Sequence, residues 1–178
     1  MAGSGADERA WIRGAQDGST SAMEALFRHH WPRAYRAAYL VVHDSAAAED
    51  IAQEAFLAAV RNLDRFDRRR PFGPWLHRIV VNRAIDWARA RALRHETGAA
   101  PLETLATPGA PSNPHAQTLA EGLAELSPEH RAVIVLRHLL EYTPGEIAQL
   151  LGLPRGTVNS RLRRGLDELA RRLGEEIS

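Results

Sequence analysis

Residues 143–164 read TPGEIAQLLGLPRGTVNSRLRR, which forms two short helical patterns on either side of a glycine. The first pattern starts with a capping signal, because the Thr143 hydroxyl can accept from the N–H of Glu146 while the Glu146 carboxylate bonds back. Pro144 occupies the first helical position, where no hydrogen-bond donor is lost. Gly152 can adopt the left-handed conformation that ends a helix and turns the chain. The stretch therefore predicts a helix-turn-helix.

The second helix of this motif should begin near Pro154 and has two chemically different faces. One face carries aliphatic side chains at helical spacing: Val158, Leu162, Leu166 and Leu169. The opposite face and its flanks carry polar and basic side chains: Thr157, Ser160, Arg161, Arg163 and Arg164. Arginine holds guanine edges and phosphates with paired hydrogen bonds. A solvated end of an ordinary helical bundle is the plainer interpretation, but the capped first helix and the turn favour duplex DNA as the partner.

The overall composition conceals this basic surface. The 178 residues include 23 basic side chains, all arginine, against 22 acidic ones, so the net charge is only +1. Six arginines but only two acids fall between residues 155 and 172, which concentrates positive charge on the last helix. The absence of cysteine excludes disulfides and thiolate metal sites. No stretch approaches the ~20 apolar residues of a membrane span, so we expect a soluble, cytoplasmic protein without membrane insertion.

The chain divides at residues 97–114, a stretch rich in Ala, Pro, Gly, Ser and Thr that is typical of a linker. Helical periodicity upstream covers three segments: 21–42, 45–62 and 74–93. Pro32 falls inside the first of these and should kink or divide it. No convincing strand pattern is visible. The sequence therefore predicts an all-α fold class, with two small helical domains at 1–96 and 115–178 joined by a flexible linker.

The helix predicted over 45–62 carries apolar side chains on a face that should point outward. Its inward face is small and aliphatic: Ala48, Ile51, Ala55 and Ala59. Leu57 and Val60 lie on the opposite side, beside acidic and polar neighbours: Glu49, Asp50, Gln53 and Glu54. Scattered exposed aliphatics are common on monomers and remain an alternative. The combination indicates a protein partner that offers a basic, partly apolar helix.

Arginines alternate with aromatic residues in the next loop, residues 63–75, LDRFDRRRPFGPW. This chemistry suits unstacked bases of single-stranded nucleic acid. The aromatic rings could equally belong to the core, and that is the role we expect for Trp75 and Trp87. The following helix presents polar groups, of which Asn82 is short enough to bond a base edge.

These motifs together resemble those of a known family, the extracytoplasmic-function (ECF) group of bacterial sigma-70 factors. The chain's first half resembles conserved region 2 through residues 44–56, 61–66 and 72–86. Its second half resembles region 4 through residues 126–137, 146–148 and 156–165. The motifs occur in the family's order and cover nearly all the chain apart from the linker and the tails.

The resemblance implies different binding roles for three sets of residues. The β′ clamp of bacterial RNA polymerase core would bind the outward helix face at Asp50, Gln53, Glu54 and Leu57. A flipped base of the −10 promoter element would be held by Phe66, Arg68, Arg69, Arg70, Arg78 and Asn82. The −35 element would be read in the major groove by Arg155, Thr157, Ser160, Arg161, Arg163 and Arg164.

The resemblance also implies partners beyond DNA. The linker would thread into the polymerase near the RNA exit path, so that both the β and β′ subunits are expected partners. An anti-sigma factor is a further expected partner, because family members are commonly held inactive by one. The run Arg68–Pro71 departs from many relatives, so the identity of the −10 base does not transfer.

We expect no catalytic residue, no cofactor and no metal. The sequence lacks a Walker loop, a dinucleotide fingerprint and a His-Glu-x-x-His motif. His29 and His30 are adjacent rather than four residues apart, and we expect them at the surface. A stand-alone helix-turn-helix regulator, with an N-terminal half that dimerises or senses a ligand, is the alternative from a different class. It leaves the acidic helix and the arginine-aromatic loop unexplained.

Overall fold

The computed structural model describes residues 5–96 and 114–177, and these residues form eight α-helices without a strand. The first half contains α1 Gly5–Gln16, α2 Thr20–Val42, α3 Ser45–Arg61 and α4 Phe72–Glu96. The second half contains α5 Pro114–Ala124, α6 Pro128–Ile134, α7 Pro144–Leu151 and α8 Arg155–Ile177. The predicted all-α class is confirmed. The predicted linker lies outside the described residues except for Pro114, which begins α5.

Side-chain caps fix where the long helices begin. The Ser19 hydroxyl accepts from the N–H of Ala22 at 3.3 Å, and the Asp44 carboxylate accepts from the N–H of Ala47 at 2.9 Å. Each bond satisfies a donor that the first turn of a helix leaves without a partner. Between α2 and α3, His43 adopts a left-handed conformation at φ 52°, which turns the chain. Local chemistry therefore separates these two helices.

Pro32 does not divide α2, contrary to one of the two expected outcomes. The helix runs without interruption from Thr20 to Val42 with the proline inside it. A proline ring removes one backbone hydrogen bond, and this is costly where the freed carbonyl is buried. Pro32 is exposed, as is Arg28 one turn earlier, so water can bond the freed carbonyl. Packing of the other face of α2 on α3 and α4 then keeps the helix whole.

Small side chains allow the helices of the first half to approach closely. Fully buried alanines line the contacts of α2 and α3: Ala34, Ala37, Ala38, Ala48, Ala52, Ala55 and Ala59. The predicted inward face of α3 is thereby confirmed. Larger groups from α4, Leu76 and Val80, complete the core.

The second half is organised around the contact of α6 with α8. Gly165 of α8 is buried, and a Cβ atom at this position would lie 3.0 Å from Ile134 Cδ1 and 3.1 Å from His130 Cβ. The lack of a side chain at Gly165 therefore lets α6 and α8 approach each other closely. A five-residue π-helical segment, Val135–Leu139, follows α6 and leads towards α7.

The two halves pack on each other, which the sequence did not settle. Nδ1 of His77 on α4 lies 2.7 Å from the hydroxyl of Tyr142, and Arg89 Nε donates to Glu129 at 2.5 Å. Arg131 is buried where α6 meets α2 and α4. Buried residues of both halves form one continuous core. None of the helices in the described ranges has the length and apolar character needed to cross a membrane.

Candidate nucleic-acid and partner-binding surfaces

The helix-turn-helix has the geometry that its sequence predicts. The N–H of Thr143 donates to Glu146 Oε2 at 2.7 Å, and the N–H of Glu146 donates to the Thr143 hydroxyl at 3.3 Å, so the capping box is complete. The bond to Thr143 lowers the pKa of Glu146 and keeps its carboxylate charged. Gly152 ends α7 in the left-handed conformation, at φ 66° and ψ 36°. α8 begins at Arg155, one residue after Pro154.

Three arginines of α8 are exposed: Arg155 in its first turn, and Arg163 and Arg164 further along the helix. Thr157 and Ser160 are half-buried, and the Ser160 hydroxyl donates to the Thr157 carbonyl at 2.9 Å. Arg161 is also half-buried, and its charge acts on Glu129 of α6. Arg161 therefore lies at the edge of the outward face of α8, closer to the body of the protein than the other arginines predicted to contact the −35 element.

The arginine loop, residues 62–71, joins α3 to α4 and exposes Arg68, Arg69 and Arg70. Arg69 is tied to Asp67, since its Nε and Nη2 donate to the carboxylate at 3.0 Å. This pairing with Arg69 lowers the pKa of Asp67 to about 2. The loop therefore presents exposed cations, of which Arg69 is held in place by its bonds to Asp67.

The ring of Phe66 has a different position from the one a base contact requires. Phe66 is only 9% exposed and packs against Trp75 and Phe72, with ring centroids 4.7 and 5.8 Å away. A buried ring has little surface on which a base could stack. Phe66 therefore anchors the arginine loop to the core, while its contact with a −10 base stays a prediction. Trp75 and Trp87 pack against the core and stay half-buried, close to expectation.

A cleft of about 850 Å³ separates the arginine loop from the helix-turn-helix. One wall is formed by Arg70, Trp75 and Arg78. The other wall is formed by Tyr142, Glu146 and Gln149. Asn82 lies one helical turn beyond Arg78 on α4 and is half-buried. Three of the six predicted −10 residues line this cleft, Phe66, Arg70 and Arg78, and α7 faces them.

The outward face of α3 borders an apolar groove of about 560 Å³, called the α3 groove below. Its lining includes Met23, Phe27, Gln53, Phe56, Leu57 and Val60. Leu57 is 54% exposed and Val60 is 46% exposed, so the predicted outward apolar side chains are present. Asp50, Gln53 and Glu54 are exposed beside them, and Glu54 pairs with Arg83 of α4. The groove and the cleft have no lining residue in common.

One histidine expected at the surface is buried. His30 donates from Nε2 to Glu8 Oε1 at 2.7 Å, because α1, a helix that the periodicity did not reveal, covers it. Glu8, His29 and His30 together could offer three ligand atoms to a metal ion. The carboxylate of Glu8 is already engaged by His30. Sequence reasoning missed Glu8 because the apolar pattern of α1 is short, at Trp11, Ile12 and Ala15.

A capped helix-turn-helix with an exposed basic face, within an all-helical chain, defines a DNA-binding protein. Comparison with known proteins identifies the family. Sigma-70 region 2 matches residues 26–94, and Sigma-70, region 4 matches residues 116–169. RNA polymerase sigma factor CarQ of Myxococcus xanthus is 36% identical over 165 residues, which cover 90% of this chain and 94% of that protein.

Two further relatives agree. ECF RNA polymerase sigma factor SigM of Mycobacterium tuberculosis is 38% identical over 160 residues, covering 88% of this chain and 80% of that protein. The solved structure of CnrH in complex with the cytosolic domain of CnrY matches with a TM-score of 0.70 and 29% identity. That match covers 95% of this chain and 98% of CnrH. The chain belongs to the ECF group of sigma-70 factors, which are transcription initiation factors.

Proposed function

We propose that this sigma factor binds core polymerase, the −10 element and the −35 element through three separate surfaces. Residues 1–96 form region 2, which binds core polymerase and the −10 element. Residues 115–178 form region 4, which binds the −35 element, and residues 97–114 link the two. The observation that carries the proposal is the exposure of three chemically distinct surfaces: the α3 groove, the arginine loop and the basic face of α8.

The α3 groove is the docking surface for the β′ clamp of the polymerase. Exposed Leu57 and Val60 provide apolar area, and Asp50, Gln53 and Glu54 supply a polar, mostly acidic border. This combination fits an amphipathic partner helix that carries basic side chains. An anti-sigma factor that covered the same groove would prevent polymerase from docking. Both partners would reach the protein in the cytoplasm.

The arginine loop and the exposed edge of α4 capture the melted −10 element. Arg68 and Arg70 approach phosphates, while Asn82 and Arg78 are placed one turn apart to contact a base edge. A base can be bound there only after it leaves the duplex stack, so these contacts form only in the open complex. Their free energy favours melting. RNA synthesis itself belongs to the polymerase, and the sigma factor supplies no catalytic residue.

The outward face of α8 reads the −35 element in the major groove. Arg163 and Arg164 are exposed on α8, with Thr157 and Ser160 close to the N-terminal end of the helix. Recognition helices contact base edges mainly through their N-terminal residues. Arg155, in the first turn of α8, and Arg161, at the edge of the face, are suited to phosphates.

In vitro transcription tests the proposal as a whole. Purified bacterial core polymerase, with and without this protein, would be given a library of promoter fragments. We expect new transcripts only in the presence of the protein, from fragments that share a −35 and a −10 sequence. DNA binding without polymerase-dependent initiation would instead support the stand-alone regulator.

A further inference from the structure

Helix α1 precedes both segments that match the family, which start at residues 26 and 116. It packs on α2 and also contacts the 3₁₀ turn Leu63–Arg65, where the arginine loop begins. Ile12 and Ala15 are buried and fix the helix to the core. Two polar side chains, Glu8 and Gln16, lie at the ends of this buried face. Eight residues separate them, or about 12 Å along a helix axis.

Gln16 holds the start of the arginine loop. Its Nε2 group donates to the carbonyl of Leu63 at 2.7 Å and to the carbonyl of Phe66 at 3.1 Å. A primary amide has two hydrogens, so both bonds can exist at once. The reverse orientation of the amide would place its oxygen against both carbonyls. The Leu63 carbonyl also accepts from the N–H of Phe66 at 2.9 Å. Gln16 therefore bonds to a turn, residues 63–66, that has its own backbone hydrogen bond.

Glu8 supports the end of the same loop through His30. Its carboxylate accepts from His30 Nε2 at 2.7 Å, and the His30 ring packs on Phe72, the first residue of α4, with ring centroids 5.1 Å apart. The bond to His30 is the main cause that lowers the pKa of Glu8, so the group is charged at neutral pH. Gln16 therefore bonds the start of the loop directly, and Glu8 supports its end through His30.

We propose that α1 positions the arginine loop for the −10 element, with Gln16 and Glu8 as positioning residues. This inference rests on the proposed role of the loop in −10 binding. Between its two anchors the loop is held mainly by local bonds, such as the N–H of Arg70 to the Asp67 carbonyl at 2.9 Å. Fixing both ends before binding lowers the conformational entropy that DNA capture must remove. The contribution of α1 is therefore preorganisation rather than contact with DNA.

Gln16→Met is the most informative variant. It keeps the length of the side chain and the helical propensity but removes both donated bonds. Oε1 of Gln16 is buried and finds no hydrogen-bond partner in the described part of the chain. Methionine also removes this unpaired acceptor, which offsets part of the stability lost with the two bonds. Exposed Asp17, changed to Asn, provides a control on the neighbouring residue.

The experiment uses the holoenzyme of core polymerase and full-length protein. Three quantities are measured: affinity for a single-stranded −10 oligonucleotide, affinity for a duplex carrying only the −35 element, and the thermal midpoint of the free protein. We expect Gln16→Met to weaken −10 binding by up to about 25-fold, since each of the two lost bonds contributes roughly a factor of five. Binding to −35 duplex should not change, the thermal midpoint should change little, and Asp17→Asn should behave as wild type.

A loop variant separates failure of this inference from failure of the proposed function. Arg68→Ala combined with Arg70→Ala should weaken −10 binding in the same assay. If that variant weakens −10 binding and Gln16→Met does not, positioning by α1 is wrong while the loop keeps its role. If neither variant has an effect, the loop does not bind the −10 element and both proposals are wrong. Equal loss of −10 binding, −35 binding and stability in Gln16→Met would show that α1 is only structural.

Discussion

At the scale of single residues, Arg164 is the side chain on which −35 recognition depends most directly. It is exposed on the outward face of α8, opposite buried Val158 and Leu162. Arg164→Ala should weaken binding to a −35 duplex by roughly 1 to 3 kcal/mol, the range for a bidentate base contact. Binding to core polymerase should not change. The matched control is Arg171→Ala, an exposed arginine two turns further along the same helix.

Titration of the holoenzyme against labelled duplex, and of the free sigma factor against core polymerase, measures the two affinities. Equal loss of both in Arg164→Ala would remove the residue from the −35 contact. A similar loss of DNA affinity in Arg171→Ala would indicate general charge attraction rather than a specific contact.

Leu57 is the corresponding residue for polymerase binding. Its side chain is among the most exposed of the large aliphatic ones and borders the α3 groove. Leu57→Arg should abolish binding to core polymerase, because the new cation would face a basic partner helix and the apolar contact is lost. The fold should persist, since the side chain does not support the core. Leu93→Arg, at another exposed leucine, is the control.

Size-exclusion chromatography of each variant with core polymerase measures assembly, and circular dichroism checks the fold. Unimpaired assembly of Leu57→Arg would show that the α3 groove is not the docking surface.

At the scale of helices, the close contact of α6 with α8 depends on Gly165. A Cβ atom there would lie 3.1 Å from His130 Cβ and 3.0 Å from Ile134 Cδ1, so a branched side chain requires either the helices or these side chains to shift. Gly165→Val should lower the free energy of unfolding by roughly 1 to 3 kcal/mol, as overpacking does. Gly156→Val on the same helix is the control, because Gly156 is exposed and a Cβ atom there would have open space around it.

Urea denaturation followed by circular dichroism gives the two free energies. An unchanged or increased value for Gly165→Val would mean that α6 and α8 are not packed this closely in solution.

The sequence predicted helices best where local chemistry determines them. The capping box at Thr143, the turn at Gly152 and the inward alanines of α3 could all be read directly, because each depends on neighbours in the chain. Helix α1 was missed because its apolar pattern spans barely two turns. Whether Pro32 divides its helix could not be predicted, because the cost of a proline depends on whether the freed carbonyl meets water, which is a tertiary property.

In the candidate sites, too, the features set by neighbours in the chain could be predicted and those set by tertiary contacts could not. Exposure of Leu57, Arg68 and Arg164 followed from helical and loop patterns. The burial of Phe66 did not, because an aromatic residue beside arginines fits either a base contact or a core position. The bonds of Gln16 and of Tyr142 to partners at least 47 residues away could not be read at all, since no local pattern encodes them.

At the scale of the whole molecule, acid should weaken the packed arrangement. Burial lowers the pKa of both His43 and His77 to about 4, while the unfolded chain titrates near 6.5. Between these values the unfolded state binds more protons than the folded state, so stability is complete above pH 6.5 and falls as the pH drops towards 4. By about pH 5.5 the loss should be roughly 1 kcal/mol for each histidine.

Denaturant unfolding at about pH 7.5 and about pH 5.5 measures this loss, and His77→Gln should reduce the pH dependence. Stability that stays level or rises on acidification would show that these histidines are not buried as neutral groups.

The packed arrangement cannot serve both promoter elements at once. The numbers −35 and −10 give the positions of the two elements, which are therefore about 25 base pairs apart. This spacing corresponds to about 85 Å of B-DNA at ~3.4 Å per base pair. A compact domain of 178 residues has a radius of gyration of only about 16 Å. Residues 97–113 could span at most about 60 Å if fully extended. The two halves must therefore separate when the promoter is bound, which breaks the contact of His77 with Tyr142.

Site-specific crosslinking in the open complex tests the three-surface account most directly. Because the chain has no cysteine, Arg68→Cys and Arg164→Cys each carry a single thiol for a photoactivatable crosslinker. The account predicts crosslinks from position 68 to the single-stranded −10 element and from position 164 to the −35 duplex, in complexes of the same composition. Crosslinks from both positions to the same element, or from position 164 to the −10 strand, would contradict it.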